Sequence, residues 1–417
     1  MALTLRGVIV LLTGIVFGLG LALGGTVWTS FSAHANAKAT PAPLDPTIES
    51  AALVAEVIDR VRREYVDKVD DKRIVEAAIR GIVADLDQYS TFLDTEEYED
   101  IRISTTGSYT GIGLDVNLED GKVTVVNPLE GAPAERAGIL PGDVVAAVND
   151  VPVDSADVEA SVSRMRGAPG TAVTLDVLRP GSEEPLRFAL TRSEVHVRTV
   201  QSEYLGNGLA YVRLSSFAEG SAADLEHAAH DLIAESGRSD LLGMVLDLRS
   251  NPGGLLDSAV DIADTFLSEG IIVSGTGRIR QAQFEQVATA GDVLENVPMV
   301  VLVNSASASA SEIVAGALQD HGRARIVGET TYGKGSVQTV MPLGEGSAIK
   351  LTTSRYLTPS GRSINGSGIE PDVVVHSDDP HRQYRGAGGR VPLRDDAQLL
   401  EAIKLISYDS ITLSSVP

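Results

Sequence analysis

The spacing of apolar positions divides the chain into stretches of different texture. No charged residue falls between Gly7 and Trp28. That run is as long as the ~20 residues a membrane-spanning helix needs, and a Pro/Ala-rich spacer from Lys38 to Pro46 follows it. From Ile48 to Leu86 apolar residues recur at helical spacing, among them Leu53, Val57, Ile74, Ala78 and Ile82. Asp67-Lys-Val-Asp-Asp71 interrupts the spacing and offers N-caps, so two helices are predicted there. From about Ser108 to Ser193 the period drops to two. Segments such as Lys122-Val-Thr-Val-Val126 and Thr171–Val177 alternate between Gly, Pro and Asp turns, which predicts a compact, mostly β module. Beyond Tyr204, the continuous apolar runs Gly243–Leu248, Met299–Val303 and Arg325–Gly328 alternate with helical patterns, as strands covered on both faces do. A Gly/Arg-rich stretch from His376 to Arg390 reads as a surface loop, and Asp396–Ile406 reads as a closing helix.

The pattern therefore predicts a multidomain α/β chain. Residues 1–37 form a signal or anchor, 38–47 a spacer, 48–104 a helical region, 105–193 the β module, 194–375 an α/β core, and 376–417 a loop and helix. Composition narrows the class further. At 417 residues there is room for two or three domains, and with 4% aromatic content Ala, Val, Leu and Ile must fill the core. The balance of 34 basic against 57 acidic residues repels a phosphate backbone, so no nucleic-acid partner is expected. The absence of cysteine excludes thiol nucleophiles, disulfides and thiolate zinc sites. Arg6 ahead of the apolar run marks an export segment, and Ala33-His-Ala35 and Ala35-Asn-Ala37 are small-x-small cleavage patterns. A cleaved signal and a retained anchor, the latter in contact with the membrane, both remain open. In either case the rest of the chain is expected in the periplasm or on the outer face of the cytoplasmic membrane.

The stretch Val303–Asp320 holds the most informative chemistry, because an apolar strand runs through small residues, including Ser307-Ala-Ser-Ala-Ser311, into a helix. A nucleophile at such an elbow sits at a helix N-terminus, whose unpaired N–H groups favour developing negative charge. The same residues also suit a plain turn in which Ser309 or Ser311 is an N-cap. None of the seven histidines stands in a triad setting. His227 and His230 are three apart on a predicted helix, where they could ligate a metal or simply form a polar face, and His321 caps the helix after the serines. A lysine is the other available base, and Tyr332-Gly-Lys-Gly-Ser-Val-Gln338 presents Lys334 between two glycines. Lysine is a base only when neutral, so Lys334 is expected to be buried. Strand alternation would set Lys334, Ser336 and Gln338 on one face, with Gln338 orienting the lysine or the substrate. The third element, Asp247-Leu-Arg-Ser-Asn-Pro-Gly-Gly254, follows a buried strand, and its glycines free N–H groups for an oxyanion or form a helix-entry turn.

Together with Leu86–Asp94, Gly107–Gly113, Ala137–Asp143 and Thr352–Arg362, these motifs resemble, in order and over most of the chain, the carboxyl-terminal processing peptidases, or tail-specific proteases. That resemblance implies a crotonase-like α/β peptidase core with a PDZ domain over the β module. It places the nucleophile on Ser309, the base on Lys334 and a supporting amide on Gln338. Backbone N–H groups of Ala310 and of Gly253 or Gly254 would form the oxyanion site. Gly111, Ile112 and Gly113 would receive a peptide's terminal carboxylate, and Arg166 would link the PDZ domain to the active site. Neither a metal nor an organic cofactor is implied. The partners expected are proteins or peptides with accessible C-termini, with a homo-oligomer or an adaptor protein left open. A non-catalytic PDZ scaffold of the cell envelope is the competing reading.

Overall fold

A computed structural model of the chain describes residues 46–182, 184–237, 241–295, 297–377 and 396–414. The expected signal or anchor and most of the 376–390 loop lie outside these residues. Among the described residues no helix is long and apolar enough to cross a membrane. Two compact units divide the chain, residues 1–71 and 72–417. In the first, helix α1 (Pro46–Glu64) carries Arg60–Glu56 and Arg63–Asp59 ion pairs one turn apart, at 2.8 and 2.5 Å. The break expected near Asp67–Asp71 is present, because the next helix begins at Asp71.

That helix, α2 (Asp71–Ala84), leads through a short loop to strand β1 (Thr91–Leu93) and helix α3 (Thr95–Thr106). Asp94 caps α3 by accepting from the Glu96 and Glu97 amides, and Glu97 returns a bond to the Asp94 N–H at 2.9 Å. Arg80 of α2 reaches both carboxylates, at 3.1 and 2.7 Å, and so ties the two helices together.

The β module follows as β2 (Ser108–Gly111), β3 (Leu114–Glu119), β4 (Lys122–Pro128), a short α4 (Pro133–Arg136), β5 (Val144–Val148), β6 (Val151–Pro152), α5 (Val158–Met165), β7 (Ala172–Leu178), β8 (Leu186–Thr191) and β9 (Ser193–His196). Its antiparallel sheet runs β3-β4-β5-β7-β8, with β6 paired to β5. The alternation seen in sequence is the alternation of burial, since Val123, Val125, Val173, Leu175 and Val177 all point into one core. Strand β3 pairs only with β4 and is an edge. A ribbon of β2 with β9 joins the two ends of the module.

The core comprises β10 (Val200–Gly206), β11 (Leu209–Leu214), α6 (Ser221–Ser236), β12 (Gly243–Asp247), α7 (Leu256–Asp264), β13 (Ile271–Gly277), β14 (Phe284–Val287), β15 (Met299–Val303), α8 (Ala310–Asp320), β16 (Arg325–Gly328), β17 (Ser336–Pro342), β18 (Ala348–Leu357), β19 (Val373–Val374) and α9 (Ala397–Ser414). One sheet runs β10-β11-β12-β15-β16-β19 and is parallel from β11 onward. Both of its faces are covered, which explains the unbroken apolar runs. Leu246, Val301 and Val303 face the cluster that contains α7 and α8, while Val245, Val300 and Leu302 face Leu399, Ala402 and Ile406 of α9. A second, antiparallel sheet sets β18 between β1 and β13, with β17 also paired to β18.

One buried ionic cluster joins α9 to the loop after β12. The Arg249 guanidinium donates to Asp247 at 2.6 Å and to Asp396 and Gln398 at 2.9 Å each, and Tyr211 donates its hydroxyl to Asp247 at 2.7 Å. Arg249 and Asp396 are 1% and 3% exposed, so their mutual satisfaction is required for either to be buried. Burial works against the charged form of Asp247, yet the Arg249 and Arg213 charges outweigh it and its pKa is lowered. Replacing Asp396 by Ala strips the guanidinium of one carboxylate in a desolvated site. The expected cost is about 3 kcal/mol of unfolding free energy, read from urea denaturation.

Candidate active site

The elbow between β15 and α8 is built by side chains that tie two loops together. Asn304 accepts from the Ser250 N–H at 2.8 Å, and the Ser307 hydroxyl donates to the Leu248 carbonyl at 2.8 Å. The Ser311 hydroxyl donates to Asn251 O at 2.9 Å, and the Ala308 N–H reaches the same carbonyl at 3.0 Å. Ser307 and Ser311 are therefore buried scaffold, and only Ser309 of the three stands at the surface of the turn. Its φ of 57° and ψ of −111° lie outside the ordinary L-residue regions, a strain of about 1–3 kcal/mol that the surrounding bonds must hold. Ser309 directly precedes α8, whose first residue is Ala310.

Gly253 lies hard against this turn, since a Cβ there would come within 2.8 Å of Ser309 Cβ and 2.9 Å of the Ala310 nitrogen. Its own N–H donates to Asn251 Oδ1 at 2.9 Å. Gly254 is required for another close approach, because a Cβ would sit 2.1 Å from the Phe217 carbonyl oxygen. The glycine loop thus borders the serine, as a bank of N–H donors must, while in this state one of its candidate donors is turned inward.

Lys334 is brought to the serine by a residue that sequence reading overlooked. The Glu312 side chain is fully buried and accepts four bonds. One oxygen takes the Ser309 N–H at 2.7 Å and the Lys334 N–H at 2.9 Å, and the other takes the Gly333 N–H at 2.7 Å and the Thr331 hydroxyl at 2.6 Å. The amides of Ser309 and Lys334 thus share one acceptor atom. Tyr356, buried on β18, adds a second bridge by placing its hydroxyl at the carbonyls of Ser309, at 3.1 Å, and Lys334. Glycine is needed on both sides of the lysine, since a Cβ on Gly335 would meet the Asn365 nitrogen at 2.7 Å, and Gly333 adopts a φ of 89°. The Lys334 amine is half-buried and lies 5.1 Å from the centroid of the Tyr89 ring. Burial, and after it the charge of Lys350, depress its pKa below the usual lysine value against the opposing pull of Glu312.

Gln338 lies on β17 opposite Thr352 of β18, directly after a β-bulge, while Lys334 precedes the strand, which begins at Ser336, so the expected strand alternation does not extend to the lysine. The Gln338 amide donates to Ser336 Oγ at 2.8 Å and to Thr352 Oγ1 at 3.4 Å, so it braces the strand that follows the lysine. Of the other candidates, Ile112 is buried in the β-module core, and its carbonyl accepts from the Ala134 N–H at 2.9 Å. Gly113 has a φ of 74° and packs so closely on Ala132 that no side chain fits there, and Gly111 lies against the Tyr109 ring. Arg166, at the end of α5, pairs with Asp100 of α3 at 2.7 Å and lies 5.8 Å from the Tyr109 ring centroid. It joins the β module to α3, and the expected link to the Ser309–Lys334 turn is not direct. On α6, His227 and His230 each lie one turn from a carboxylate, Asp231 or Glu226. His321 bonds the Ile271 carbonyl at 2.7 Å.

Comparison with known proteins is decisive at this point. The Bartonella bacilliformis carboxy-terminal-processing protease is 42% identical over 340 residues, which cover 82% of this chain and 78% of that protein. The chain belongs to this protease family. The carboxy-terminal processing protease CtpB of Bacillus subtilis is 34% identical over 84% of this chain and 71% of that protein. The profile of peptidase family S41 matches residues 208–375, a PDZ-domain profile matches 110–190, and the profile of the activating protease CtpB N-terminal domain matches 16–97. A Bacteroides fragilis NCTC 9343 protein assigned to the S41 proteases shares the fold, with a TM-score of 0.51 at 17% identity, covering 85% of this chain and 97% of that one. The expected α/β class, with its PDZ domain and peptidase core, is confirmed, and the protein is a serine peptidase.

The Glu312 contact makes a prediction of its own. Glu312→Gln puts an NH2 group where one oxygen faces two donors. It is expected to lower unfolding free energy by about 2–3 kcal/mol in urea melts, with faster amide exchange at Gly333 and Lys334.

Proposed function

We propose that this protease hydrolyses peptide bonds near protein C-termini through a Ser309/Lys334 dyad. The observation that carries this reading is the single Glu312 oxygen that holds the amides of both residues, with Tyr356 bridging their carbonyls. In the proposed step, the neutral Lys334 amine takes the Ser309 hydroxyl proton while Oγ bonds the scissile carbonyl carbon. The lysine then passes the proton to the departing amine, and water, activated by the same group, releases the acyl chain. The N–H of Ala310 would receive the oxyanion together with that of Gly254 or of Gly253, the latter once it leaves Asn251. Gln338 would support the lysine strand through Ser336.

Substrate tails are proposed to add as a strand along the free edge of β3, with the terminal carboxylate at the Gly111–Gly113 turn. Arg166 would relay occupancy of that turn to α3 through Asp100. The N-terminal apolar run is proposed to export the protein to the periplasm or the outer face of the cytoplasmic membrane, remaining as an anchor if uncleaved. A homo-oligomer or an adaptor would be compatible with this arrangement.

Purified protein incubated with an unfolded, tail-bearing substrate should lose at least about a thousandfold in turnover in Ser309→Ala and in Lys334→Ala, with product termini read by mass spectrometry and folding checked by circular dichroism. Unchanged turnover in either variant rejects the dyad. Because the lysine acts when neutral, kcat/KM should rise with pH along a limb centred below the ~10.4 of a solvated lysine. Amidation of the substrate's C-terminus should weaken binding to the isolated tail site at least about tenfold, the loss of a charge-assisted bond or more, as measured by fluorescence anisotropy on the Ser309→Ala protein.

A further inference from the structure

We propose that Tyr89, on the loop between α2 and β1, is a positioning residue for Lys334, the face of its ring seating the amine beside the Ser309 turn and stabilising its charged form. This rests on the reading of Lys334 as the base. The amine lies 5.1 Å from the ring centroid, within the range in which an ammonium is attracted to an aromatic face.

The loop is held so that the ring stays in place. Asp87 accepts from the Tyr89 and Ser90 amides at 2.7 and 2.8 Å and from the Ser90 hydroxyl at 3.0 Å. Burial works to raise the Asp87 pKa, yet the Tyr89 and Ser90 amides outweigh it and the net shift is downward. The Ser90 hydroxyl in turn accepts the Thr352 N–H of β18 at 3.1 Å, and β1 continues the pairing with Thr91 opposite Lys350. The strand that anchors the Lys334 carbonyl through Tyr356 is therefore the strand that fixes Tyr89. Ring and amine are registered against one common element.

The groups around the amine give the ring a task. Lys350 from β18 repels its charge, and Glu312 from α8 favours it, although that carboxylate is occupied by four donors. Tyr332, on the lysine's own segment, is near enough to Tyr89 to raise its pKa, and Tyr356 from β18 places its hydroxyl at the Lys334 carbonyl. A half-buried amine beside a second lysine has few partners that hold it without taking its proton. An aromatic face attracts the ammonium and has no lone pair to compete for the proton when substrate arrives.

The test uses Ser309→Ala protein carrying 13Cε-labelled lysine, with the Lys334 signal assigned by its loss in Lys334→Arg. Tyr89→Phe should titrate as the parent does. Tyr89→Leu should titrate at lower pH by about half a unit. In the Ser309 enzyme the same variant should shift the acid limb of kcat/KM downward by the same amount and lower kcat several-fold, with KM unchanged, while Tyr89→Phe keeps the parental profile. Tyr89→Met, whose longer, unbranched side chain can fill an irregular gap, replaces the Leu variant if thermal melting shows that the latter is unfolded. The proposal is overturned if the Leu or Met variant keeps the parental titration and kcat, or if Tyr89→Phe is as impaired as they are. Should Lys334 prove not to be the base, Lys334→Ala would retain activity, and the titration would still report on the ring contact separately.

Discussion

The Ser309 turn and the Lys334 segment both depend on one buried carboxylate. Glu312 lies on the first turn of α8, is excluded from water, and is satisfied by donors from two segments that are distant in sequence. A side chain of this kind is stable in the interior only when every donor is in place. The requirement therefore runs in both directions. The serine turn cannot keep its strained backbone without the acceptor, and residues 331–334 cannot reach their position without it. Tyr356 repeats the arrangement on the carbonyl side, so the turn and the lysine segment are held by their backbones.

Around this centre the fold supplies rigid supports. The parallel sheet ends in two adjacent loops, one bearing the serine and the other the Asn-Pro-Gly-Gly sequence, and buried serines and asparagines sew them together. The ionic cluster of Arg249 with Asp247 and Asp396 fixes the root of the second loop from the opposite face of the sheet. The antiparallel sheet contributes β18, which reaches the helical lead-in through β1 on one side and carries the lysine strand on the other. The region ahead of the PDZ domain thus shares a sheet with the strand that follows Lys334.

Much of this was legible in the sequence for identifiable reasons. The strand-elbow-helix at Ser309 shows because apolar and small residues change over abruptly there, and Lys334 shows because a charged residue stands between two glycines just ahead of a strand pattern. The two-residue alternation of the β module translates directly into which valines are buried. Glu312, Tyr356 and Tyr89 did not show. Glu312 reads as an ordinary first-turn helix glutamate, and nothing local reveals that its partners lie around residues 331–334. Tyr356 and Tyr89 act through contacts 22 or more positions away in the chain, a separation at which residue spacing carries no signal. The partner of Arg166 was not legible for a related reason, because an arginine at a helix end pairs with whichever carboxylate the tertiary structure brings near, here Asp100. The polar faces of α6 had only their own neighbouring carboxylates to offer His227 and His230.

The order of the segments along the chain has a further consequence for how the enzyme comes into being. The helix with Ser309 and Glu312 is synthesised before residues 331–334, and these before Tyr356. A ribosome-bound chain that stops short of residue 331 holds Ser309 but neither Lys334 nor the donors around which the Glu312 carboxylate is buried. The bridges that Glu312 and Tyr356 make between the Ser309 turn and the Lys334 segment are thus complete only once β18, the last strand of the second sheet, is laid down.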